Sequence, residues 1–475
     1  MSLAKRRFVI KTSTALSVRG IILVFVVALG CGQCVRAGSN VVVVSNVMSL
    51  PPPRYTLQQC IDLALNQNSD VLAAKKRLEE AAGGIVEARA GFLPSLTSYA
   101  NYEKLQADYA TLGGAADNRT FIWNVNVRLT ETVYAGGAVR ARMDIARLLS
   151  HSRTLEYEAA IDQAIMDVRI AFYDILRNRA DVAVHEQAVN FLTEEAKNEQ
   201  ARLDVGTGQK LYVLRAEVNL ALEQSALVDS RNRLRNSCLR LSELLSIPYS
   251  IDQGQPPFDI DGGLTYEKTT LDLNNCLTRA LVQRPELVTR ENDILVQKKQ
   301  LVVDRSELLP HLNLFGGYDV VSEPDRTLPA DYYQGYLVGV EVNWHMFDGL
   351  ATKGRMNATR ARVEETEIAY DALHRSIEAE VLRSYRDLQR SEENVQTQSA
   401  NVQLATESLQ LATANFKLGL TSQLELLQSQ LDLTRAQTAE SSARFDYNAA
   451  LARLQRAMGS QFHLTETRTK GSGAK

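Results

Sequence analysis

Between Phe121 and Thr130 the chain alternates without a break. Phe121, Trp123, Val125, Val127 and Leu129 fall on one side, and Ile122, Asn124, Asn126, Arg128 and Thr130 on the other. Successive strand residues point to opposite faces, so the stretch predicts a strand with one apolar and one largely polar face. The rhythm returns further on. HLNLFGGYDVV sets Leu312, Leu314, Gly316, Tyr318 and Val320 against His311, Asn313, Phe315, Gly317 and Asp319. YLVGVEVNWHMF sets Tyr336, Val338, Val340, Val342, Trp344 and Met346 against Leu337, Gly339, Glu341, Asn343 and His345. With a less regular run at 95–106, strands are predicted at 95–106, 121–133, 311–321 and 336–347.

Most of the remaining chain has helical spacing. Helices of about twenty residues are expected at 69–91 and 286–308, and much longer ones at 138–205 and 350–418. Glycine turns follow, Val205-Gly206-Thr207-Gly208 and Leu418-Gly419-Leu420-Thr421, and return helices run to about 246 and 458. Ile161, Ile165, Val168, Phe172, Ile175 and Val182 take coiled-coil steps with Arg179 in one seam position, and Leu424, Leu427 and Leu431 repeat the pattern. A helix of that length reaches about 100 Å, more than one globular core accommodates. On the helices alone, an elongated structural coiled coil is the plain reading.

Self-comparison shows that the pattern is written twice. LQQCIDLALNQNSDV at 57–71 returns as LNNCLTRALVQRPEL at 273–287, an offset of 216, and Leu93-Pro94 returns as Leu309-Pro310. From Trp123 onward the offset is 213, so three residues are lost within the polar stretch ADYATLGGAADNR. Drift confined to one loop is what a duplicated fold shows. The implied organisation is an export signal at 1–37, a linker at 38–54, a first repeat at 55–248, an inter-repeat linker at 249–272, a second repeat at 273–459 and a loose tail at 460–475.

The strands then pose a covering problem. Runs of about ten residues with dyad alternation and aromatic ends suit a β-barrel in a bilayer. The rival is a soluble sandwich, but only four strands are predicted and no second sheet is available to cover them. Four strands do not close a barrel, and an open sheet in lipid leaves its edge groups unpaired at several kcal/mol each. Other copies of the chain must therefore pair the edges. Two copies give eight strands and a filled interior, whereas three give twelve and an aqueous passage. Asn124, Asn126, Arg128, Glu341 and Asn343 as inward-facing residues favour water inside.

Composition narrows the classes further. With 53 basic and 56 acidic residues, a formal charge of -3 gives no footprint for nucleic acid. Lys5, Arg6 and Arg7, the apolar run 21–30 and Val35-Arg36-Ala37 read as an export signal removed near Ala37, too short to span a bilayer. CGQC at 31–34 lies inside that signal, which leaves Cys60, Cys238 and Cys276, an odd count with no disulfide framework. Six histidines show no metal-ligand spacing, and no phosphate-cradling loop or Ser/His/Asp arrangement stands out. Neither an enzyme nor a cofactor is expected. His345 and Glu341 read as lumen lining on one strand face.

The chain resembles the TolC-type outer-membrane efflux proteins over nearly its whole mature length. The resemblance rests on the duplicated opening (Ala64-Leu65 with Asn68; Ala280-Leu281 with Pro285-Glu286-Leu287) and on Gly-x-Leu-Pro at 91–94. It rests also on the aromatic-x-Gly turns at 134–137 and 347–349 and on FKLGLTSQLELLQSQLDL at 416–433. It implies a mainly α fold with a membrane β-barrel: a homotrimer with a 12-stranded barrel and a long periplasmic α-helical coiled-coil barrel, built from two internal repeats. It implies a passive exit duct for a tripartite efflux or type I secretion system, partnered by a periplasmic adaptor and an inner-membrane pump. By position, Glu425 takes the acidic place of the family's last hairpin and Gln428 the place of a second acid. Three Glu425 side chains on one axis would form an anionic ring that selects for cations; the alternative is a solvated charge on an outer helix face. The tips Val205, Gly206, Thr207, Leu418, Gly419, Leu420 and Thr421 would meet the adaptor, or simply reverse the chain. From another class, the rival function is a periplasmic adaptor or structural coiled-coil protein.

Overall fold

A computed structural model describes residues 53–104, 121–248, 258–322 and 332–459. The expected export signal, nearly all of the expected 38–54 linker, the polar stretch where the offset changes, residues 249–257 and 323–331 and the expected tail from 460 lie outside the described residues. The described residues belong to one compact unit.

In order come β1 (Arg54–Tyr55), α1 (Leu57–Gln67), α2 (Ser69–Ala90), β2 (Ser95–Lys104), β3 (Phe121–Ala135), α3 (Ala138–Asp204) and α4 (Lys210–Leu244). Then follow β4 (Asp259–Ile260), α5 (Leu273–Gln283), α6 (Pro285–Ser306), β5 (His311–Ser322), β6 (Tyr332–Asn343), α7 (Ala351–Lys417) and α8 (Gln423–Ala457). Paired helices match in length: 67 residues in α3 and α7, and 35 in α4 and α8.

Local chemistry sets the boundaries. Thr56 and Gln59 form a reciprocal capping box at α1, which satisfies two amides that a helix start leaves orphaned. Asp272 accepts from the Asn275 amide at the start of α5, and Pro285 opens α6, where its missing N–H costs nothing. Both long helices end in the same motif. The Thr207 amide donates to the Arg202 carbonyl and the Gly206 amide to Leu203, as Leu420 does to Asn415 and Gly419 to Phe416. The middle residue must be left-handed, and Gly206 and Gly419 have φ of 80° and 74°. A Cβ would meet nothing at either position, so backbone conformation and not space selects glycine.

The long helix α3 organises the packing. Its first half lies against α2 and α6, where Lys299 reaches Asp144 at 2.7 Å and Asn292 reaches Ser152 at 3.2 Å. Its second half lies against α4 and α8, with the His185 ring 2.6 Å from Glu223. Helix α7 packs on α6 and α8 in turn. The result is a row, α2–α3–α6–α7 near the strands and α4–α3–α8–α7 beyond them. Two cores lie along it. One gathers Cys60, Ile61, Ile165, Val168, Phe172, Ile175 and Leu241; the other gathers Cys276, Ala280, Ile377, Val381, Leu388, Tyr447 and Leu454.

Two expectations are corrected. The fourth strand runs from Tyr332 to Asn343, so Trp344 and Met346 lie past its end, and His345 does not share a strand face with Glu341. It pairs back to Ser322, which moves its start four residues toward the N-terminus. The seam of α8 buries Gln423, Leu427, Gln430 and Thr434, whereas Leu424 and Leu431 are exposed, because α3 packs on the polar side of the stripe. The described part of the inter-repeat linker, from Phe258 on, carries a short strand. β4 pairs in parallel with β1, Phe258 and Ile260 enter the first core, and Arg179 holds the strand through the Ile260 carbonyl at 3.0 Å and the Asp259 carboxylate at 2.5 Å. That explains a charged residue in the seam of α3.

Candidate functional site

The large sheet has the order β2-β3-β5-β6, antiparallel throughout. Its register puts Leu96, Leu129, Leu312, Leu314, Tyr318, Val127, Val338 and Val340 on one face. On the other face lie Asn124, Asn126 and Arg128 of β3, Asn313, Phe315 and Asp319 of β5, and Glu341 and Asn343 of β6. In a sheet that packs on its own core, the apolar face is buried. Here the burial is inverted: Val338 is 76% and Val340 62% exposed, while Glu341 between its strand neighbours is only partly exposed.

The polar face is knitted across strands. Arg128 reaches over β5 to Glu341 at 3.2 Å, and Asn343 donates to the same carboxylate at 2.6 Å. The guanidinium lies 4.0 Å above the Phe315 ring, a cation–π contact. Phe315 fits flat because its cross-strand neighbour is Gly339, where a Cβ would come within 2.7 Å of the ring. Sequence reasoning placed Phe315 on this face but passed over its part; an aromatic paired with glycine among polar residues was the available signal. Tyr99 was also passed over: it lies cross-strand from Asn126, which blurs the alternation of β2.

The helix tips form the second assembly. Gln423, 2% exposed, donates to the Tyr212 carbonyl at 3.0 Å and so ties the start of α8 to the start of α4. Arg202 joins α3 to α7, pairing with Glu199 at 2.8 Å and lying 5.0 Å over the Phe416 ring. Burial and the adjacent Glu199 carboxylate push the Glu195 carboxyl above the ordinary range, with Arg202 opposing. The tips 205–207 and 418–421 are thereby brought side by side, with Val205, Leu418 and Leu420 exposed.

Glu425 and Gln428 share the exposed face of the first turns of α8. Glu425 is the third helical residue: its amide donates to the Ser422 hydroxyl, and its carboxylate accepts from the Thr421 hydroxyl. An acid there also favours the positive end of the helix. Gln428 donates to Asp432 at 2.9 Å, so a carboxylate stands one turn beyond the place where a second acid was sought. The signal for Asp432 was its seven-residue spacing from Glu425. Among the described residues, no group of three or more His, Cys, Asp and Glu side chains could hold a metal ion, and no helix is long and apolar enough to cross a membrane.

The site thus comprises a sheet with an exposed apolar face and a cross-linked polar face, carried on helices of about 100 Å. The outer membrane efflux protein family model matches residues 60–246 and again 276–460, and the chain belongs to that family. Membership places the protein in the outer membrane. Outer membrane protein OprJ of Pseudomonas aeruginosa is 29% identical over 167 residues, 35% of this chain and 34% of that one. The toluene efflux pump outer membrane protein TtgF of Pseudomonas putida is 28% identical over 220 residues, 45% of this chain and 44% of that one. These matches span about a third to under half of the relatives' length. Among solved structures, the CmeC outer membrane channel of Campylobacter jejuni superposes with a TM-score of 0.74 at 15% identity, over 86% of this chain and 88% of that one.

Proposed function

We propose that this chain is the outer-membrane exit duct of a tripartite efflux or type I secretion system, a homotrimer that conducts its cargo passively. The observation that carries this reading is a sheet with both edges open. Among the described residues β2 pairs only with β3 and β6 only with β5, and an open edge in lipid leaves N–H and C=O groups without partners. The internal joint supplies the template for closure. Where the two halves of the chain meet, β3 joins β5, α3 joins α6 and α3 joins α8. Repeating that joint between copies sets β6 beside β2, and α7 beside α2 and α4, of the next copy.

The surfaces match this requirement. Along α4, Leu211, Leu214, Val218 and Leu222 form an exposed apolar stripe, and α7 exposes Leu404 and Leu411. Three copies give twelve strands around a passage lined by Asn124, Asn126, Arg128, Glu341 and Asn343. At the far end Glu425 supplies an anionic ring, with Gln428 above it, and the tips Val205, Gly206, Thr207, Leu418, Gly419, Leu420 and Thr421 form the adaptor-facing rim. Energy comes from an inner-membrane pump joined through a periplasmic adaptor.

The reading is tested by native mass measurement and planar-bilayer recording on the purified protein. A trimeric mass with cation-preferring currents is expected, and Glu425→Ala raises conductance or weakens cation preference. A monomer without currents would overturn the duct, and currents unchanged in Glu425→Ala would remove the gate assignment alone.

A further inference from the structure

An open cavity lies next to the sheet, where α2, α3 and α6 converge. Its volume is about 820 Å³, and its charged lining is Arg89, Arg140, Arg147 and Lys299 against one carboxylate, Asp144. Lys299 is held to Asp144 at 2.7 Å, and Arg147 stands 4.0 Å from the same residue. The Lys299 hydrogen bond, with Arg140 and Arg147 nearby, holds the Asp144 carboxyl below its ordinary range. Arg89 and Arg140 have no ion-pair partner among the described residues. The first amides of α3 add to this field, since Gly137 lines the cavity and no side chain caps that helix. Four cations and one carboxylate thus leave three net positive charges on the lining of an open cavity.

The depth of the cavity identifies the anion. Arg89 is six residues before Ser95 of β2, and Arg140 five residues after Ala135 of β3. Both residues therefore lie within about two turns of chain of the strand ends, beside the headgroup layer of a bilayer that holds the sheet. Apolar groups continue upward: Phe92 lines the cavity and is exposed along with Leu93, and Leu96 and Val133 above them are exposed on the sheet. A charged floor under an apolar wall fits a molecule with an anionic head and acyl chains.

We propose that this cavity binds the phosphate diester of an anionic phospholipid of the periplasmic leaflet, with Arg89 and Arg140 as its principal contacts. The site needs the sheet to lie in lipid but is independent of conduction and of the Glu425 gate. It gives each copy a fixed lipid at the joint between barrel and helices.

The test uses the full mature protein in phosphatidylglycerol nanodiscs, transferred to detergent, with bound lipid counted by native mass spectrometry. Wild type retains phosphatidylglycerol in preference to phosphatidylcholine, and the Arg89→Gln/Arg140→Gln variant loses about tenfold in retention, the worth of a charge-assisted contact. Arg142→Gln removes an exposed cation outside the cavity and leaves retention unchanged. Should the double variant fail to fold, Asp144→Asn serves instead: it removes the competing carboxylate and raises retention. Equal retention of both lipids, equal retention in all variants, or binding of inorganic phosphate alone with no lipid retained would overturn the proposal.

Discussion

Asn68 and Arg284 occupy the same corner in the two halves of the sequence, where a short helix of eleven residues meets one of twenty-two. The backbones match, but the forces differ. At the first corner Asn68 caps α2 through the Asp70 and Val71 amides and donates to the Leu244 carbonyl at 3.0 Å, with no charge involved. At the second, Arg284 is buried and grips Glu380 with two bonds of 2.7 and 3.0 Å. Arg456 joins Glu380 to Glu286 at 3.0 and 3.2 Å. The residue matching Glu380 in the first half is Asp167, which settles for a hydrogen bond from Gln163. One corner geometry is thus satisfied by a neutral amide or by an ion network. The second solution makes its members interdependent, because removing one partner leaves a charge stranded.

Breaking each corner separates the two solutions. Arg284→Met leaves Glu380 with Arg456 alone. The expected loss is about 2–3 kcal/mol, below the value for a fully buried pair because Glu380 is 37% exposed. Asn68→Ala costs about 1–2 kcal/mol, the worth of a cap plus an orphaned carbonyl. Denaturation midpoints of the two variants in the same detergent read the difference; equal losses would mean that the network adds nothing over the cap.

The helix tips provide the opposite case, two places built alike. Gly206→Ala and Gly419→Ala should each cost about 1–2 kcal/mol, confined to the last turns, since both force an L-residue into the left-handed region. Hydrogen exchange of the tip amides measures this, and a large difference between the two would show that they are not equivalent.

A smaller contrast lies in how each core holds the linker. Tyr385 donates to the Leu271 carbonyl at 3.1 Å, while its counterpart Phe172 has no hydroxyl and the first core uses Arg179 instead. Tyr385→Phe should therefore cost about 1 kcal/mol in thermal stability. Smallest is the pH dependence. Burial opposes ionisation of Glu380, but the hydrogen bonds and charges of Arg284 and Arg456 outweigh it, so its carboxyl lies below the ordinary 4.5. A depressed carboxylate contributes stability that is complete above 4.5 and is lost as pH falls through the lower folded value. Stability scanned downward from pH 6 should fall less steeply in Glu380→Gln than in wild type, whereas Asn68→Ala leaves the slope unchanged.

Much of this was legible because the two periods are strong. The faces of β3, β5 and β6 followed from alternation alone, and the ends of α3 and α7 from the glycines after them. What failed, failed for identifiable reasons. Trp344 and Met346 continue the alternation past Asn343, so period two could not mark where pairing with β5 stops. In α8 the leucine heptad misidentified the seam, because the surface it meets on α3 accepts Gln423, Gln430 and Thr434. The pairing of β1 with β4 joins residues about 200 apart in sequence and leaves no local signal. At the tips, Gln423 and Arg202 act across helices, which no spacing rule within one helix reveals. Asp432 was visible in the sequence but lay one turn from the place the family resemblance indicated.

The central claim is that lipid covers the apolar face of the sheet and water the polar face. It is tested most directly by spin labels placed singly at Val125, Asn126, Val127, Leu337, Val338 and Val340 in protein reconstituted into bilayers. Accessibility to oxygen, which concentrates in lipid, should peak at Val125, Val127, Val338 and Val340, and accessibility to a water-soluble nickel chelate at Asn126 and at Leu337, which shares the polar face opposite Gly317. Labels at the four valines shielded from both reagents would mean that protein covers that face, contrary to this account.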